Sequence, residues 1–309
     1  MTTPRVLVVG AGPAGISAAL WLRDLAIPFA WWSAGPVGGT LRRVGNPVLN
    51  YPGYSAPRGD MLVEQFISQL DALQLAPECD VELRGLERTD LGWRACRDAG
   101  DLVVDAVILA TGTRPRMLGL PGERSWLGRG VELSVTRRRE DYRGQEVVVA
   151  GGGDAALEGA LLLHEVGCRV HVVHRGQAFR AQQRFIDAVE DAERIHTHFN
   201  REVVGFEANE RMESVTLDDG EVLQARGLFE RIGVAPAVPP GVPEGALLRS
   251  GYLRVTTAGR VSESGGGVFA GLYAAGDVMD PEHQSVAWSA GTAARAVASI
   301  RFDLEALDR

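Results

Sequence analysis

The sequence predicts an α/β fold that contains two strand, glycine-turn and helix units in one chain of 309 residues. The first unit opens the chain: an apolar, β-rich run at residues 6–9 leads into a glycine turn, and apolar positions then recur at helical spacing. The second unit, at residues 146–174, repeats this order and adds a return strand. Each segment therefore indicates a βαβ unit of the Rossmann type.

The spacing of glycines characterises the turn of the first unit. Gly10, Gly12 and Gly15 form a GxGxxG pattern directly after the first strand. In a dinucleotide-binding fold the first glycine permits a tight turn, the second lets the backbone approach a pyrophosphate, and the third lets the helix pack closely on the strand. An acidic ribose-binding residue is expected about 20 residues later. The second strand, at residues 29–32, ends instead at Ser33, so ribose contacts are expected from Ser33, the backbone or the following loop.

A second fingerprint, GxGxxA, runs through Gly151, Gly153 and Ala156. It lies between a predicted strand at residues 146–150 and a predicted helix near residues 154–166. This placement again predicts a nucleotide-binding turn at a helix N-terminus.

The return strand of this second unit, at residues 169–174, indicates which nucleotide binds. It ends in His174 and Arg175, and Arg180 follows shortly after. An acid at this place would bind the ribose hydroxyls of NAD, whereas a basic cluster suits a 2′-phosphate. The pattern favours NADP, and the alternative is that these arginines are solvated surface charges.

Two further segments define the domain organisation. A strand ends at Ala110, Thr111 and Gly112, and prolines and glycines cluster at residues 235–245, which indicates a crossover back to the first domain. A helix is predicted at residues 285–300 near the C-terminus. We therefore predict two Rossmann-like dinucleotide-binding domains, the second inserted into the first, with segments 1–115, 116–240 and 241–309.

Composition and cysteine spacing exclude several classes of function. The net charge of −8 argues against nonspecific binding to nucleic acid or to an anionic membrane. The glycines within residues 6–22 argue against a signal peptide or membrane span, so the default location is the cytoplasm. The cysteines, Cys79, Cys96 and Cys168, lack the spacing of a CxxC pair or a zinc cluster. No metal site is expected, because ligand spacing with a carboxylate partner is also missing at the histidines His164, His171, His196 and His198.

The order of the motifs resembles the low-molecular-weight thioredoxin reductases over almost the whole chain. The motifs are GxGPAG (10–15), GGTL (38–41), NYPG (50–53), ATG (110–112), GGGDAALE (151–158), HRxxxxR (174–180) and GDVMD (276–280). The resemblance implies an FAD-binding domain formed by residues 1–115 and 241–309, and an NAD(P)-binding domain, with NADPH the expected coenzyme, at residues 116–240.

The resemblance also implies the residues of both cofactor sites. Asp277 would reach the ribityl or pyrophosphate region of FAD, and the helix that starts near residues 283–285 would point its positive end at the isoalloxazine. The candidate FAD residues are Gly10, Gly12, Pro13, Ala14, Gly15, Ser33, Gly38, Gly39, Thr40, Leu41, Asn50, Ala110, Thr111, Gly112, Gly276, Asp277, His283, Gln284 and Ser285. The candidate NADPH residues are Gly151, Gly153, Asp154, Ala155, His174, Arg175 and Arg180.

The chain departs from this family where the redox-active cysteines would be. Ser134 and Arg137 occupy the two cysteine positions of the CxxC motif. Since serine cannot form a disulfide, no dithiol relay to thioredoxin is expected, and no catalytic side chain is assigned. Smaller departures are Gly176, where a second arginine is usual, and His283, where arginine is common.

The sequence therefore predicts an FAD-dependent NAD(P)H oxidoreductase that passes electrons to a non-disulfide acceptor. Thioredoxin reductase-like ferredoxin-NADP reductases also lack the CxxC motif, which favours ferredoxin or flavodoxin as the partner, and homodimers are usual among relatives. The arginine run, residues 137–139, is either a docking site for such an acidic partner or a solvated segment. The alternatives are a two-flavin relative and a non-catalytic flavin-binding sensor.

Overall fold

The computed structural model describes residues 3–45 and 47–309. Contacts divide the chain into two compact units. The outer unit contains residues up to 114 together with residues 235–309, and the inserted unit contains residues 115–234. The boundaries predicted from the sequence lie at 115 and 240, so the return to the outer unit comes earlier than expected.

The first part of the outer unit begins with the predicted strand, glycine turn and helix. Pro13 is the first residue of the first helix, where its fixed φ angle suits the helix and its missing N–H costs no hydrogen bond. The elements are β1 (Val6–Val9), α1 (Pro13–Asp24), β2 (Phe29–Ser33), α2 (Gly59–Ala72), β3 (Glu78–Cys79), β4 (Gly85–Thr89), β5 (Gly92–Cys96), β6 (Leu102–Val104), β7 (Ala106–Leu109) and β8 (Thr113–Pro115).

The inserted unit repeats the order of strand, glycine turn, helix and strand. The strand at residues 146–150 contains the run of valines, and the helix at residues 154–165 contains the leucines. The elements that begin in this unit are β9 (Val131–Glu132), α3 (Val135–Arg138), β10 (Glu146–Ala150), α4 (Asp154–Glu165), β11 (Arg169–His174), α5 (Gln183–Glu190), β12 (Ile195–Phe199), β13 (Val203–Ala208), β14 (Met212–Leu217), β15 (Val222–Gln224), β16 (Gly227–Glu230) and β17 (Val234–Pro236).

The chain returns to the outer unit for its last three elements. These are β18 (Arg260–Ser262), β19 (Val268–Ala274) and α6 (Val286–Leu307). Ser285 caps α6, because its hydroxyl accepts a hydrogen bond from the backbone N–H of Trp288 at 3.2 Å. The helix extends seven residues beyond the predicted end at residue 300.

A six-stranded sheet in the order β18-β19-β7-β1-β2-β3 forms the centre of the outer unit. Strand β1 pairs in parallel with both β2 and β7, as the Rossmann arrangement requires. Because side chains alternate along a strand, Val6 and Val8 of β1 pack with the helices, while Leu7 and Val9 pack on the opposite face with the antiparallel sheet β4-β5-β6.

The inserted unit has the same layered plan. Its five-stranded sheet, ordered β12-β11-β10-β16-β9, is parallel at each pairing. Val147 and Val149 of β10 pack with α4, and Val148 packs on the other face with the antiparallel sheet β13-β14-β15. Two Rossmann-like units in an α/β fold are therefore confirmed. None of the helices in the described residues is long and apolar enough to cross a membrane.

Candidate functional site

The glycine turn after β1 is closed on one side and open on the other. A Cβ atom at Gly10 would overlap the carbonyl oxygen of Ala110, and one at Gly15 would overlap the carbonyl oxygen of Gly10. Gly10 also has a φ of +111°, which favours glycine. At Gly12, by contrast, a Cβ would meet no atom within 4 Å. The open space beside Gly12, at the N-terminus of α1, is where a phosphate group fits.

A second glycine loop lies against this turn. Gly38 donates its N–H to the carbonyl of Ala11 at 2.7 Å, and a Cβ at Gly39 would lie 3.2 Å from the Cα of Gly12. The 3₁₀ helix Gly39–Arg43 follows, so it carries Thr40 and buried Leu41 beside the turn. The structure thus brings the GGTL segment to the first fingerprint.

The two later motifs of the outer unit reach the same turn. Ala110 follows β7 and donates its N–H to Val9 at 2.8 Å, which places Thr111 and Gly112 next to Gly10. The Thr111 hydroxyl is buried and has no hydrogen-bond partner among residues 3–45 and 47–309. A buried hydroxyl without a partner is costly, and a bound ligand atom would satisfy it.

The GDVMD segment also approaches α1. A Cβ at Gly276 would lie 2.9 Å from the Cβ of Ala14, and its N–H donates to the Thr292 hydroxyl at 3.0 Å. Burial raises the pKa of the neighbouring Asp277, whose Oδ1 accepts a hydrogen bond from Ser289 at 3.3 Å. The carboxyl group is therefore held by α6 near the start of α1.

The residues before α6 differ in how firmly they are held. Gln284 donates through Nε2 to the hydroxyl of Tyr252 at 3.4 Å, and Ser285 is the N-cap residue. His283 is exposed and pairs through Nδ1 with Asp280 at 3.0 Å. Its ring also lies 5.4 Å from that of Trp288. The departure at position 283 therefore gives an imidazole tied to a local carboxylate.

Two further candidate residues are Ser33, which follows the strand residue that accepts the N–H of Gly10, and Asn50. Ser33 ends β2 and is buried, and its hydroxyl donates to the carbonyl of Gly35 at 2.7 Å. Asn50 lies in an exposed bend. The Ser33 hydroxyl is used to stabilise its own turn. The ribose contacts suggested by the sequence would then come from backbone groups of this turn.

The turn of the inserted unit has the same closed and open sides. A Cβ at Gly151 would overlap the carbonyl oxygen of Arg231, whereas one at Gly153 would meet nothing within 4 Å. Gly153 is the N-cap residue of α4, and Asp154 and Ala155 form its first turn. The Asp154 carboxylate accepts two hydrogen bonds of 2.7 Å from the backbone and side chain of Gln182. The Asp154 carboxylate therefore holds the loop after β11 in place and is already hydrogen-bonded within the protein.

A cavity of about 860 Å³ opens beside this second turn. Arg175 and Arg180, both exposed, line it, and neither guanidinium has a hydrogen bond or ion pair with another part of the chain that the structure describes. Three further arginines line the cavity, and the sequence motifs did not indicate them. They are Arg116, Arg201 and Arg231. Their positions far apart in the sequence gave no local signal.

His174 lies in the wall of this cavity, against the glycine turn. Its ring lies so close to Gly152 that a Cβ there would overlap it, and a Cβ at Gly176 would come within 2.7 Å. Burial lowers the pKa of His174, and its Nε2 has no partner among the described residues. A side chain at position 176 would therefore require the His174 ring to shift.

Ser134 is the N-cap residue of the short helix α3, and Arg137 lies in the last turn of that helix. The arginine run that follows is engaged in local ion pairs. Arg138 pairs with the buried Glu132 at 3.3 Å and with Asp141 at 2.9 Å, and Arg139 pairs weakly with Glu165 at 3.7 Å. These ion pairs would compete with an external anion at Arg138 and Arg139.

Two of the histidines, which show no ligand spacing in the sequence, contact carboxylates in the fold. His171 lies 2.8 Å from Glu146 through Nε2 and 3.0 Å from His198 through Nδ1. His198 in turn lies 3.6 Å from Glu221. The cluster forms across neighbouring strands, so sequence spacing could not reveal it. No group of three or more metal-ligating side chains that could hold a metal ion occurs within residues 3–45 and 47–309.

The cysteines are all free thiols. Cys168 follows α4 and is buried, its Sγ donates to the carbonyl of Tyr142 at 3.0 Å, and burial raises the pKa of the thiol. Cys79 is exposed in β3, and Cys96 is partly exposed in β5. A buried thiol with a raised pKa is unreactive, so Cys168 is a packing residue.

Comparisons with known proteins agree with this geometry. The family model described as pyridine nucleotide-disulphide oxidoreductase matches residues 4–291. Thioredoxin reductase of Escherichia coli O157:H7 is 33% identical, covering 98% of this chain and 97% of the relative. Glucosaminate ammonia-lyase of Pseudomonas fluorescens is 31% identical, covering 98% and 96%.

Among solved structures, Lactococcus lactis thioredoxin reductase in its FR conformation superposes with a TM-score of 0.84 at 25% identity, covering 98% of this chain and 100% of that one. Sequence, family model and fold thus agree over nearly the entire length. The chain belongs to the pyridine nucleotide-disulphide oxidoreductase family and is a thioredoxin reductase-like member of it.

Proposed function

We propose that this protein is an FAD-dependent oxidoreductase that takes electrons from NADPH and passes them to a non-disulfide acceptor, with a small redox carrier such as ferredoxin or flavodoxin as the candidate partner. Thioredoxin reductase-like proteins use FAD and NADPH. The observation that carries the proposal is the pair of glycine turns, each with one open position, at Gly12 and at Gly153.

The residues of the outer unit fit FAD. Gly12 leaves room for a pyrophosphate at the N-terminus of α1, and the buried Thr111 hydroxyl is a polar atom without a partner in the described chain. Asp277 is held by Ser289 and would bind ribityl hydroxyls, while the capped N-terminus of α6 presents a positive dipole end. When bound, FAD supplies a carrier that accepts a hydride and releases electrons.

The residues of the inserted unit fit NADPH. Gly153 leaves space for the coenzyme pyrophosphate at the N-terminus of α4. Arg175 and Arg180 line the cavity beside it and have no acidic partner in the part of the chain that the structure describes, so their charges are available to a 2′-phosphate. Asp154 holds the loop that carries Arg180, because its carboxylate accepts a hydrogen bond from Gln182 of the same loop. This contact orients the cationic side of the cavity.

The proposal of a non-disulfide acceptor rests on the absence of a cysteine pair. Ser134 and Arg137 stand at the positions of the family's redox cysteines, and Cys168 is buried. The acceptor must therefore take electrons without thiol exchange by this chain. We also expect a homodimer, which light scattering on the purified protein measures.

Two matched glycine variants test the assignment of the two sites. Gly12 and Gly153 have φ angles of −75° and −101°, so valine is accommodated by the backbone at both positions. Gly12→Val is expected to abolish FAD binding, and Gly153→Val is expected to retain FAD and lose reduction by NADPH. Each variant is the control for folding of the other.

The readout is the flavin content of the purified protein, followed by anaerobic titration with NADPH and NADH and addition of candidate acceptors. One FAD per chain that is bleached by NADPH and reoxidised by ferredoxin or flavodoxin supports the proposal. Two FAD per chain would indicate the two-flavin alternative, and bound FAD that neither nucleotide reduces would indicate a sensor. Stoichiometric FAD in Gly12→Val would show that the outer turn is not the flavin site.

A further inference from the structure

We propose that Arg201 is a third cationic residue of the 2′-phosphate subsite and contributes to the preference for NADPH over NADH. This inference rests on the proposed function of the inserted unit. Arg201 follows β12, more than twenty residues beyond Arg180 in the sequence, and lines the same cavity as Arg175 and Arg180. The structure therefore adds a residue that the linear motif does not contain.

The backbone fixes Arg201 beside the segment that carries Arg175. The N–H of Arg201 donates to the carbonyl of His174 at 3.2 Å, and the N–H of Asn200 donates to the carbonyl of Gly176 at 3.1 Å. Asn200 has a φ of +54°, so the chain turns sharply between β12 and Arg201. These two hydrogen bonds hold the Arg201 turn against the loop after β11.

The side chain of Arg201 is oriented by an acid. Its Nε lies 2.5 Å from Oδ2 of Asp219, and its Nη1 donates to the carbonyl of Asn200 at 3.0 Å. The other oxygen of Asp219 accepts the N–H of Glu221 at 3.0 Å, and this backbone hydrogen bond is the main reason that the pKa of Asp219 is lowered. Nη2 has no hydrogen-bond partner in the described chain, so one edge of the fixed guanidinium remains for an oxyanion.

The other two additional arginines of the cavity are hydrogen-bonded to segments other than the loop after β11. Arg116 donates through Nε to the carbonyl of Val234 at 2.8 Å. Arg231 donates to the carbonyls of Ala155 and Leu133 at 3.2 and 3.0 Å. Neither is hydrogen-bonded to the loop after β11, which carries the proposed 2′-phosphate subsite.

One carboxylate, Glu202, also lines the cavity next to Arg201 and would favour the ribose hydroxyls of NADH. Arg201 and Glu202 would therefore favour different coenzymes. If Arg201 determines the preference, Arg201→Ala weakens NADP⁺ binding, whereas if Glu202 does, Glu202→Gln weakens NAD⁺ binding.

The test measures dissociation constants of NADP⁺, NAD⁺ and 2′-AMP by calorimetry on the FAD-loaded full chain. Arg201→Ala is expected to raise the constants for NADP⁺ and 2′-AMP about tenfold and leave that for NAD⁺ unchanged. Arg201→Lys should recover part of the loss, because it keeps the charge and loses the fork. Asp219→Asn should weaken NADP⁺ binding less than Arg201→Ala does. Arg169→Ala, an exposed change at the other end of β11, is the matched control.

Two results would overturn the inference. One is an unchanged ratio of NADP⁺ to NAD⁺ affinity in both Arg201→Ala and Arg201→Lys, and the other is an equal loss of both coenzymes. The double variant Arg175→Ala, Arg180→Ala separates this failure from that of the proposed function. If the double variant loses NADP⁺ preference and Arg201→Ala does not, only the role of Arg201 is wrong. If neither changes it, the assignment of the whole subsite is wrong.

Discussion

Replacing Glu230 by glutamine should make the protein more stable at neutral and alkaline pH. Glu230 ends β16 and is 1% exposed, and Glu123 beside it is 3% exposed. The two carboxyl groups are within hydrogen-bonding reach of each other, and Oε2 of Glu123 accepts the N–H of Gly119 at 3.0 Å. Burial and the neighbouring carboxyl raise the pKa of Glu230 to about 9. A proton on this pair therefore persists in the folded state at pH 7.

The magnitude follows from linkage between protonation and folding. A carboxyl whose pKa is raised on folding contributes stability that is complete below the unfolded pKa, about 4.5, and is lost as the pH rises towards the folded value. Between these values wild-type protein should lose roughly 1.4 kcal/mol per pH unit relative to Glu230→Gln. The amide has the same shape, stays neutral and can donate to Glu123.

The assay is thermal unfolding of the FAD-loaded protein at pH 6, 7 and 8, followed by circular dichroism. The difference in Tm between Glu230→Gln and wild type should grow by on the order of 4 °C per pH unit. Glu207→Gln, an exposed change in the same unit, is the control and should follow wild type. Parallel Tm curves for wild type and Glu230→Gln would refute the reasoning, because they would mean that Glu230 is ionised in the folded state.

Two further predictions concern the histidine cluster and the thiols. Burial, assisted by the charge of His171, lowers the pKa of His198, so the unfolded chain binds more protons as the pH falls through about 6.5. His198→Gln should therefore reduce the loss of Tm between pH 7 and pH 5, and an unchanged loss would contradict this. Replacing Cys79, Cys96 and Cys168 together by serine should leave flavin reduction by NADPH intact, and loss of reduction in the folded triple variant would reveal a thiol step.

The sequence was sufficient to predict features that depend on neighbours in the chain. The strands at residues 6–9 and 146–150, the glycine turns and the helices that follow are encoded locally by apolar periodicity and by glycine spacing. The different roles of Gly12 and Gly15 also follow from the motif, and the structure shows one open and one closed position. Local rules therefore predicted the nucleotide-binding turns to within a residue or two.

Features that depend on pairing between distant segments could not be predicted in this way. Glu123 and Glu230 meet in the folded inserted unit, and their separation of more than a hundred residues in the sequence carries no periodic signal. His171 meets Glu146 through the register of β10 and β11. Since register is set by the packed sheet, such contacts require the three-dimensional structure.

In the inserted unit, the acids near each arginine determine whether its charge is available to an external anion. Arg138 is paired with Glu132 and Asp141, so an acidic partner that bound it would have to replace existing ion pairs. Arg175 and Arg180 have no such acids among the described residues, so an anion gains their charge without that competition. Arg175 and Arg180 are therefore the more available charges, and an acidic electron carrier gains little by docking on Arg138. If the acceptor is ferredoxin or flavodoxin, changing Arg138 should affect folding of the inserted unit more than turnover.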